Sequence, residues 1–411
     1  MRQLRNLAGA RRAWKLPRKS RVLIYGSSGS HLLSNYISEP TSIYQHPEDS
    51  LNVSILILAI FRLRLSRIGY LYTYLKVVSP QIVITFEDND LSFYRIKGMF
   101  PSCTTIAIQN GRRDGFAVSP KGGFFELLHQ ACKVTAMDAS YICLFGNAVK
   151  RLYRDALGSS SRAQYQAIGS LRNNAIASSQ AASEPRIIYI SSMPSFVEGQ
   201  LPDSEEILGY YGGNPVTYSE YWRAENMLVL ELARFASAQS LPLVVLGKRA
   251  SHRTAEREHF AKMLVDFDWQ FVSADNQSSS YRQVARRDCV VSVDGTLAYE
   301  FLGRGYRVSF FSSRLLLAGL PERRDCDFGY PDDLPAKGKF WTSEVSYSEV
   351  SRVLYFLLHS TDDEWQAATR GLKPQLMQFD PGNSRFCELL CFLGVNNTGP
   401  KYWDEVRIPR N

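Results

Sequence analysis

Apolar runs of strand character alternate with helix-spaced segments through residues 22–170. The stretch "RVLIYGSSGS" reads as a strand entering a Gly/Ser turn, and "HLLSNYI" as the helix after it. "QIVITFEDND" reads as a strand ending in acids, and "CTTIAIQNGRR" as a strand ending in a polar turn. "ASYICLFGNAVKRLY" gives strand, turn and helix, and "AQYQAIGSLRNN" gives a strand and a second Gly/Ser turn. Strands alternating with helices predict βαβ units on a parallel sheet.

The rhythm breaks at "NNAIASSQAASEP" (173–185), which is small, polar and free of aromatics, as interdomain linkers are. It restarts with the strand "RIIYISSMPS", the long amphipathic helix "YWRAENMLVLELARFASAQ", the strand "LPLVVLGKRA" and the helix "EREHFAKMLVDF". The strand–turn–helix "CVVSVDGTLAYEFLGRG" and the strand "YRVSFF" follow, and "EVSYSEVSRVLYFLLHS" and "SRFCELLCFLG" read as closing helices. The expected fold is α/β, with two Rossmann-like doubly wound domains facing a cleft. The expected boundaries are a basic tail 1–20, an N-terminal domain 21–172, the linker 173–185, a C-terminal domain 186–375, and a closing helix and tail 376–411. A length of 411 residues agrees with two cores better than with one.

In open parallel sheets, ligands bind beyond the carboxyl ends of the strands. The polar residues there are therefore the candidates. In the second half they are Ser191 and Ser192, Lys248 and Arg249 after Gly247, and the turn Asp294-Gly295-Thr296. A phosphate needs backbone N–H donors, a helix N-terminus and a cation. Gly295 lets the backbone approach, Thr296 offers a hydroxyl, and Lys248 or Arg249 offers charge. Glu300, early in the next helix, can accept hydrogen bonds from ribose hydroxyls. Plain helix capping explains Asp-Gly-Thr equally well on its own.

In the first half, Glu87, Asp88 and Asp90 crowd one strand end. Neighbouring acids raise a carboxylate's pKa, which suits a general base. Asp88-Asn89-Asp90 also spells DxD, a metal–nucleotide pattern of single-domain glycosyltransferases, but a second βαβ half argues against that architecture. Acceptor-side candidates are Ser28 and His31 after the first turn, and Gln109, Asn110, Arg112 and Arg113 in "QNGRRDG". No GxxxxGK[ST], GxGxxG, GxSxG or HExxH occurs, and the other histidines share no metal-ligand spacing.

Charge adds one point. The net charge is +8, and residues 1–21 hold eight Lys/Arg without an acid. Such a segment reads as a solvated tail or as a contact for an anionic membrane surface; no nucleic-acid recognition motif accompanies it. Seven scattered cysteines with no CxxC pair fit a reducing cytoplasm, and Cys387 and Cys391, four apart, are expected to face the core. No apolar h-region follows the basic start. The apolar run "VSILILAIF" (53–61) is too short to span a bilayer and is expected to be a buried helix or strand, with an interfacial helix ending at Arg62 and Arg64 as the alternative.

"IVITFEDNDLSFYRIKGMFPSCTTIAIQNGRR", "YICLFGNAVKRLY…YQAIGSLRNN" and "VVSVDGTLAYEFLGRGYRVSFF" resemble bacterial surface-carbohydrate biosynthesis proteins of lipopolysaccharide and capsule gene clusters, which are GT-B glycosyltransferases. The likeness runs in order over most of residues 20–390. More distantly, the second half is similar to Kdo-type, sialyl-type and CDP-glycerol-type transferases. The resemblance implies that Ser292, Asp294, Gly295 and Thr296 hold the donor phosphate. It also implies a metal-independent transferase that needs no cofactor and has its base in the N-terminal domain. Acids in the first strand-end turn, as in such relatives, are replaced here by "YGSSGS", which shifts the base to Glu87, Asp88 or Asp90.

The expected function is inverting transfer from a nucleotide-sugar donor to a surface-polysaccharide or lipid-linked acceptor, on the cytoplasmic side of the membrane. A CMP-activated nonulosonic acid is the first choice of donor on the family likeness. A CDP-glycerol-type or other nucleotide-sugar transferase, or a catalytically dead binding scaffold, are the alternatives.

Overall fold

The computed structural model describes residues 9–113, 116–117, 120–177, 184–191, 204–211, 213–248, 253–273, 279–313, 334–335 and 337–402. The chain forms two compact units. Unit 1 is Met1–Asn110, Leu128–Ala175 and Asp380–Asn411, and unit 2 is Gly111–Leu127 and Ile176–Phe379.

Unit 1 is built on a six-stranded sheet in the order Thr41–Tyr44, Val22–Tyr25, Ile82–Thr85, Thr104–Ile108, Tyr141–Leu144 and Gln164–Ala167. All neighbours are parallel. The strands Val22–Tyr25, Ile82–Thr85 and Tyr141–Leu144 are buried at every residue. That is why their sequences are continuous apolar runs and not alternations: helices cover both faces of a parallel sheet. Side-chain caps fix where helices begin. Ser66 accepts from Gly69 N at 3.0 Å to start Arg67–Val78, and Asp90 accepts from Ser92 N at 2.8 Å to start Leu91–Met99.

Unit 2 repeats the plan. Its six parallel strands run Gln270–Ser273, Leu243–Gly247, Ile187–Ile190, Cys289–Ser292, Arg307–Phe311 and Trp341–Thr342. A three-stranded antiparallel sheet joins Asn214–Thr217, Ile207–Tyr211 and Phe116–Ala117. This last pairing draws residues 111–127 out of the first half of the sequence and into unit 2. The capping box of Thr217 and Glu220 starts the long helix Tyr218–Gln239.

Several expectations need correction. Asn173 and Asn174, placed in the linker, are fully buried in unit 1. Asn174 Nδ2 donates to Ile168 O at 2.8 Å and to Asn383 Oδ1 at 2.9 Å, so the closing segment from Asp380 onward belongs to unit 1. Cys387 is buried but Cys391 is exposed. The run Val53–Phe61 is a helix, yet only Ile55 and Ala59 of it are buried.

Candidate active site

The chain leaves the first strand of unit 1 in one lateral direction and later returns on the other side. Thr41–Tyr44 and Ile82–Thr85 therefore flank Val22–Tyr25, and the carboxyl ends of Val22–Tyr25 and Ile82–Thr85 form a topological switch point. Here Gly26 adopts φ +90, and the Glu87 carboxylate lies over it, so close that an added Cβ would fall 2.4 Å from Glu87 Cδ. Ser28 N donates to Glu87 Oε1 at 2.9 Å. His46, just past the strand Thr41–Tyr44, places Nε2 2.9 Å from Glu87 Oε2, and Arg67 Nη2 lies 2.9 Å from His46 Nδ1. A guanidinium can only donate, so Nδ1 accepts and Nε2–H donates to Glu87. Burial lowers the His46 pKa, but the hydrogen bond to Glu87 and the charges of Asp90 and Glu87 outweigh it, and the net shift is upward.

The other two acids of the cluster have different employment. Asp88 is fully buried. Its Oδ1 accepts from Asn110 N at 3.1 Å, its Oδ2 accepts from Tyr153 OH at 2.5 Å, and its carbonyl accepts from Tyr94 OH at 2.7 Å. Expected with Glu87 and Asp90 as a candidate base, Asp88 instead ties three elements together. Asp90 caps its helix through Oδ1 and accepts from Tyr25 OH at 2.7 Å through Oδ2. The two carboxylates of the DxD pattern thus serve separate partners.

Of the acceptor-side candidates, Ser28 and His31 are exposed. Partial desolvation and the Arg172 charge lower the His31 pKa. Gln109 is fully buried, with Oε1 accepting from Phe145 N at 2.9 Å, and Asn110 Nδ2 donates to Phe86 O at 2.6 Å. Both stitch strand ends together; the full burial of Gln109 corrects the expectation that it touches an acceptor, while Asn110 is half-buried. Arg112 and Arg113 lie in unit 2.

In unit 2, Leu243–Gly247 and Cys289–Ser292 flank the first strand, Ile187–Ile190, which puts the switch point at Ser191 and the Asp294-Gly295-Thr296 turn. Ser292 Oγ accepts from Gly295 N at 2.9 Å, and a Cβ on Gly295 would lie 3.0 Å from that oxygen and 3.4 Å from Ile190 Cγ2. Gly295 caps the helix Thr296–Gly303 without a side-chain bond. Arg112 arrives from the excursion of residues 111–127. Its N–H donates to Thr296 Oγ1 at 3.1 Å, and its Nη2 donates to Asp294 Oδ2 at 3.1 Å. Both charged side chains are nearly buried, at 5% and 10% exposure. A buried guanidinium with five N–H donors therefore stands beside a helix N-terminus.

Glu300 is buried and Oε2 accepts from Tyr281 OH at 2.6 Å, a structural tether in place of the expected ribose contact. Lys248 is exposed, and its backbone N reaches both oxygens of Glu256 at 3.3 and 3.2 Å. Glu256 is buried, and burial raises its pKa against the lowering effects of Ser191 and Lys248. Ser192 and Arg249 lie outside the described residues.

Sequence reasoning missed His46, Arg67 and Glu256. His46 follows a strand end and was open to the rule that found the other candidates, but "TSIY" is too short and polar to stand out. Arg67 and Glu256 are ordinary helix positions whose side chains reach strand ends only in the folded units.

The family model described as "putative O-antigen biosynthesis protein" matches residues 106–392. The chain belongs to that family. The resemblance read from the sequence stands, and the parallel α/β sheets are those of GT-B proteins. A comparison with curated proteins finds none that matches. Among solved structures, the H444N variant of the wall teichoic acid polymerase TagF is similar at 10% identity and TM-score 0.50, over 92% of this chain and 89% of that one. UDP-GlcNAc 2-epimerase from Methanocaldococcus jannaschii is similar at 9% identity and TM-score 0.47, over 90% of this chain and 99% of that one. The GtfA/B complex follows at 12% identity and TM-score 0.44, over 80% of this chain and 60% of that one.

Proposed function

We propose that the chain is an inverting glycosyltransferase of O-antigen biosynthesis. A nucleotide-sugar donor binds unit 2 at Asp294, Gly295, Thr296 and Arg112, and a glycan or lipid-linked acceptor binds unit 1 at the Gly26–Ser28 turn. The acceptor hydroxyl oxygen bonds to the anomeric carbon, its proton passes to Glu87, and the bond from the anomeric carbon to the donor phosphate oxygen breaks. His46 and Arg67 orient Glu87, and Arg112 with the helix N-terminus takes up the charge of the departing phosphate, so the transfer runs without a metal ion. The basic residues 1–21 bring the protein to an anionic membrane surface where a lipid-linked acceptor resides.

The observation that carries this reading is that a carboxylate in one unit and a guanidinium in the other each occupy a switch point of a doubly wound sheet. The position of Glu87 also weakens the scaffold reading, because it brings an acid to the very turn, "YGSSGS", that lacks one. Family membership supports the surface-polysaccharide setting. The choice of a CMP-activated nonulosonic acid follows the sequence resemblance, with CDP-, UDP- and GDP-linked donors as competitors.

The test is a thermal-shift screen with CMP, CDP, UDP and GDP, followed by turnover with the sugar of the nucleotide that binds. A ligand at about 100 times its Kd adds roughly 2.7 kcal/mol. Arg112→Met is expected to abolish that stabilisation. Glu87→Gln is expected to keep it while losing turnover. Turnover by Glu87→Gln at the native rate would remove Glu87 as the base.

A further inference from the structure

We propose that unit 1 carries a built docking face for an anionic phospholipid surface, made by the helix Val53–Phe61, the turn after it and the stretch 9–19. This deepens the membrane contact of the functional reading above and rests on it. It replaces a basic tail acting at a distance with a surface that inserts apolar side chains.

Three large apolar side chains follow one another at alternate positions around the helix end: Phe61 at 81% exposure, Leu63 at 88% and Leu65 at 74%. Trp14 and Leu16 add 66% and 52%. The second group joins the beginning of the same helix, about 10 Å along its axis from Phe61. The strand Arg11–Ala13 pairs with Ser50–Asn52 immediately before the helix, Asn52 Nδ2 donates to Lys15 O at 2.8 Å, and the Ser54 hydroxyl donates to the Trp14 carbonyl.

The turn is fixed in place. Leu63 N donates to Ile60 O at 2.9 Å and Arg64 N to Ala59 O at 2.8 Å, while the Arg64 guanidinium stacks 3.7 Å over Tyr72. Leu63 holds φ 53, a conformation that non-glycine residues seldom adopt. The chain keeps a strained backbone at the point where it presents a leucine to solvent.

Charge decides what covers the face. Residues 9–20 contain five Lys/Arg and residues 51–78 contain four, and neither stretch has an acid. Of the acids just before the helix, Glu48 lies 3.7 Å from Arg67. Protein interfaces deplete charge at their apolar centres, whereas interleaved cations and bulky apolar groups suit a boundary between anionic headgroups and acyl chains. Among the described residues no helix is long and apolar enough to cross a membrane, so the contact lies on the surface.

The test is flotation of the full chain with phosphatidylcholine vesicles made with and without phosphatidylglycerol, at low and high salt. Binding is expected only with phosphatidylglycerol, and salt weakens it. The double variant Phe61→Ser/Leu63→Ser is expected to bind about tenfold more weakly or worse at either salt. It should retain nucleotide stabilisation, which shows that it folds. Arg12→Ser/Lys15→Ser is expected to lose the low-salt gain. Native-level vesicle binding by Phe61→Ser/Leu63→Ser, with binding lost on deleting residues 1–8, would overturn the face in favour of the tail. Absence of vesicle binding, with self-association that Phe61→Ser/Leu63→Ser abolishes in sedimentation velocity, would overturn it in favour of a second copy. Vesicle binding with no nucleotide response would leave the face standing and overturn the functional reading instead.

Discussion

The Glu87 carboxylate lies over Gly26, which has no Cβ to obstruct it. The two residues come from neighbouring parallel strands, and Ser28 N and His46 fix the carboxylate from either side. The glycine is therefore a condition of the site as well as of the turn. Gly26→Ala must place a Cβ 2.4 Å from Glu87 Cδ on a backbone at φ +90. We expect turnover to fall by about 100-fold or more, as when a general base is displaced, with a loss of roughly 1–3 kcal/mol in stability. Nucleotide-dependent stabilisation, read by thermal shift, should persist.

His46 makes stability depend on pH. Its folded pKa is raised, so the folded state holds the proton more tightly than the unfolded state. The stabilisation is full below the ordinary histidine value of about 6.5 and is lost as pH rises through the folded value. Protonation of Nδ1 displaces Arg67, which has Glu48 and Asp90 oxygens at 3.7 and 3.9 Å to turn to. The Tm advantage of the native protein over His46→Gln should shrink as pH rises through that window. An advantage that grows with pH would refute the assignment.

Asp88 is predicted to matter for folding and not for chemistry. Asp88→Ala removes the carboxylate that accepts from the Tyr153 hydroxyl and from Asn110 N–H, a loss of roughly 2–5 kcal/mol measurable by urea denaturation. Asp88→Asn keeps one acceptor and should cost less. Its turnover per folded molecule should match the native protein. A large drop in that turnover without a change in stability would return Asp88 to the catalytic role.

Glu256 also has a raised folded pKa, from burial. Between the ordinary carboxylate value of about 4.3 and that raised value, the unfolded chain releases a proton that the folded chain keeps. Stability from this group falls as pH rises through the window. Glu256→Gln removes the titration while keeping an acceptor for Lys248 N, so its Tm should gain on the native protein as pH increases. Parallel Tm curves for the two proteins would show that Glu256 ionises normally.

The sequence by itself determined the alternation of strands and helices and the polar residues at the strand ends. These are short-range properties. A strand buried on both faces must be a continuous apolar run such as "IIYI" or "CVVS", and a turn must carry small or capping residues within a few positions of it. Only the tertiary structure decided which strand ends meet. Strand order places Gly26 beside Glu87 and Ser191 beside Asp294-Gly295-Thr296, and nothing local encodes it. Tertiary packing also separated the acids of "EDND". Asp88 turns inward to Tyr153 and Asn110, Asp90 caps a helix, and Glu87 alone of the three reaches the Gly26 turn. The same holds for Arg112, which sits two residues beyond Asn110 in the sequence yet binds Asp294 and Thr296. A strand pairing at Phe116–Ala117 carries it there, and such a pairing joins residues about a hundred positions apart, beyond the reach of any periodicity or turn signal.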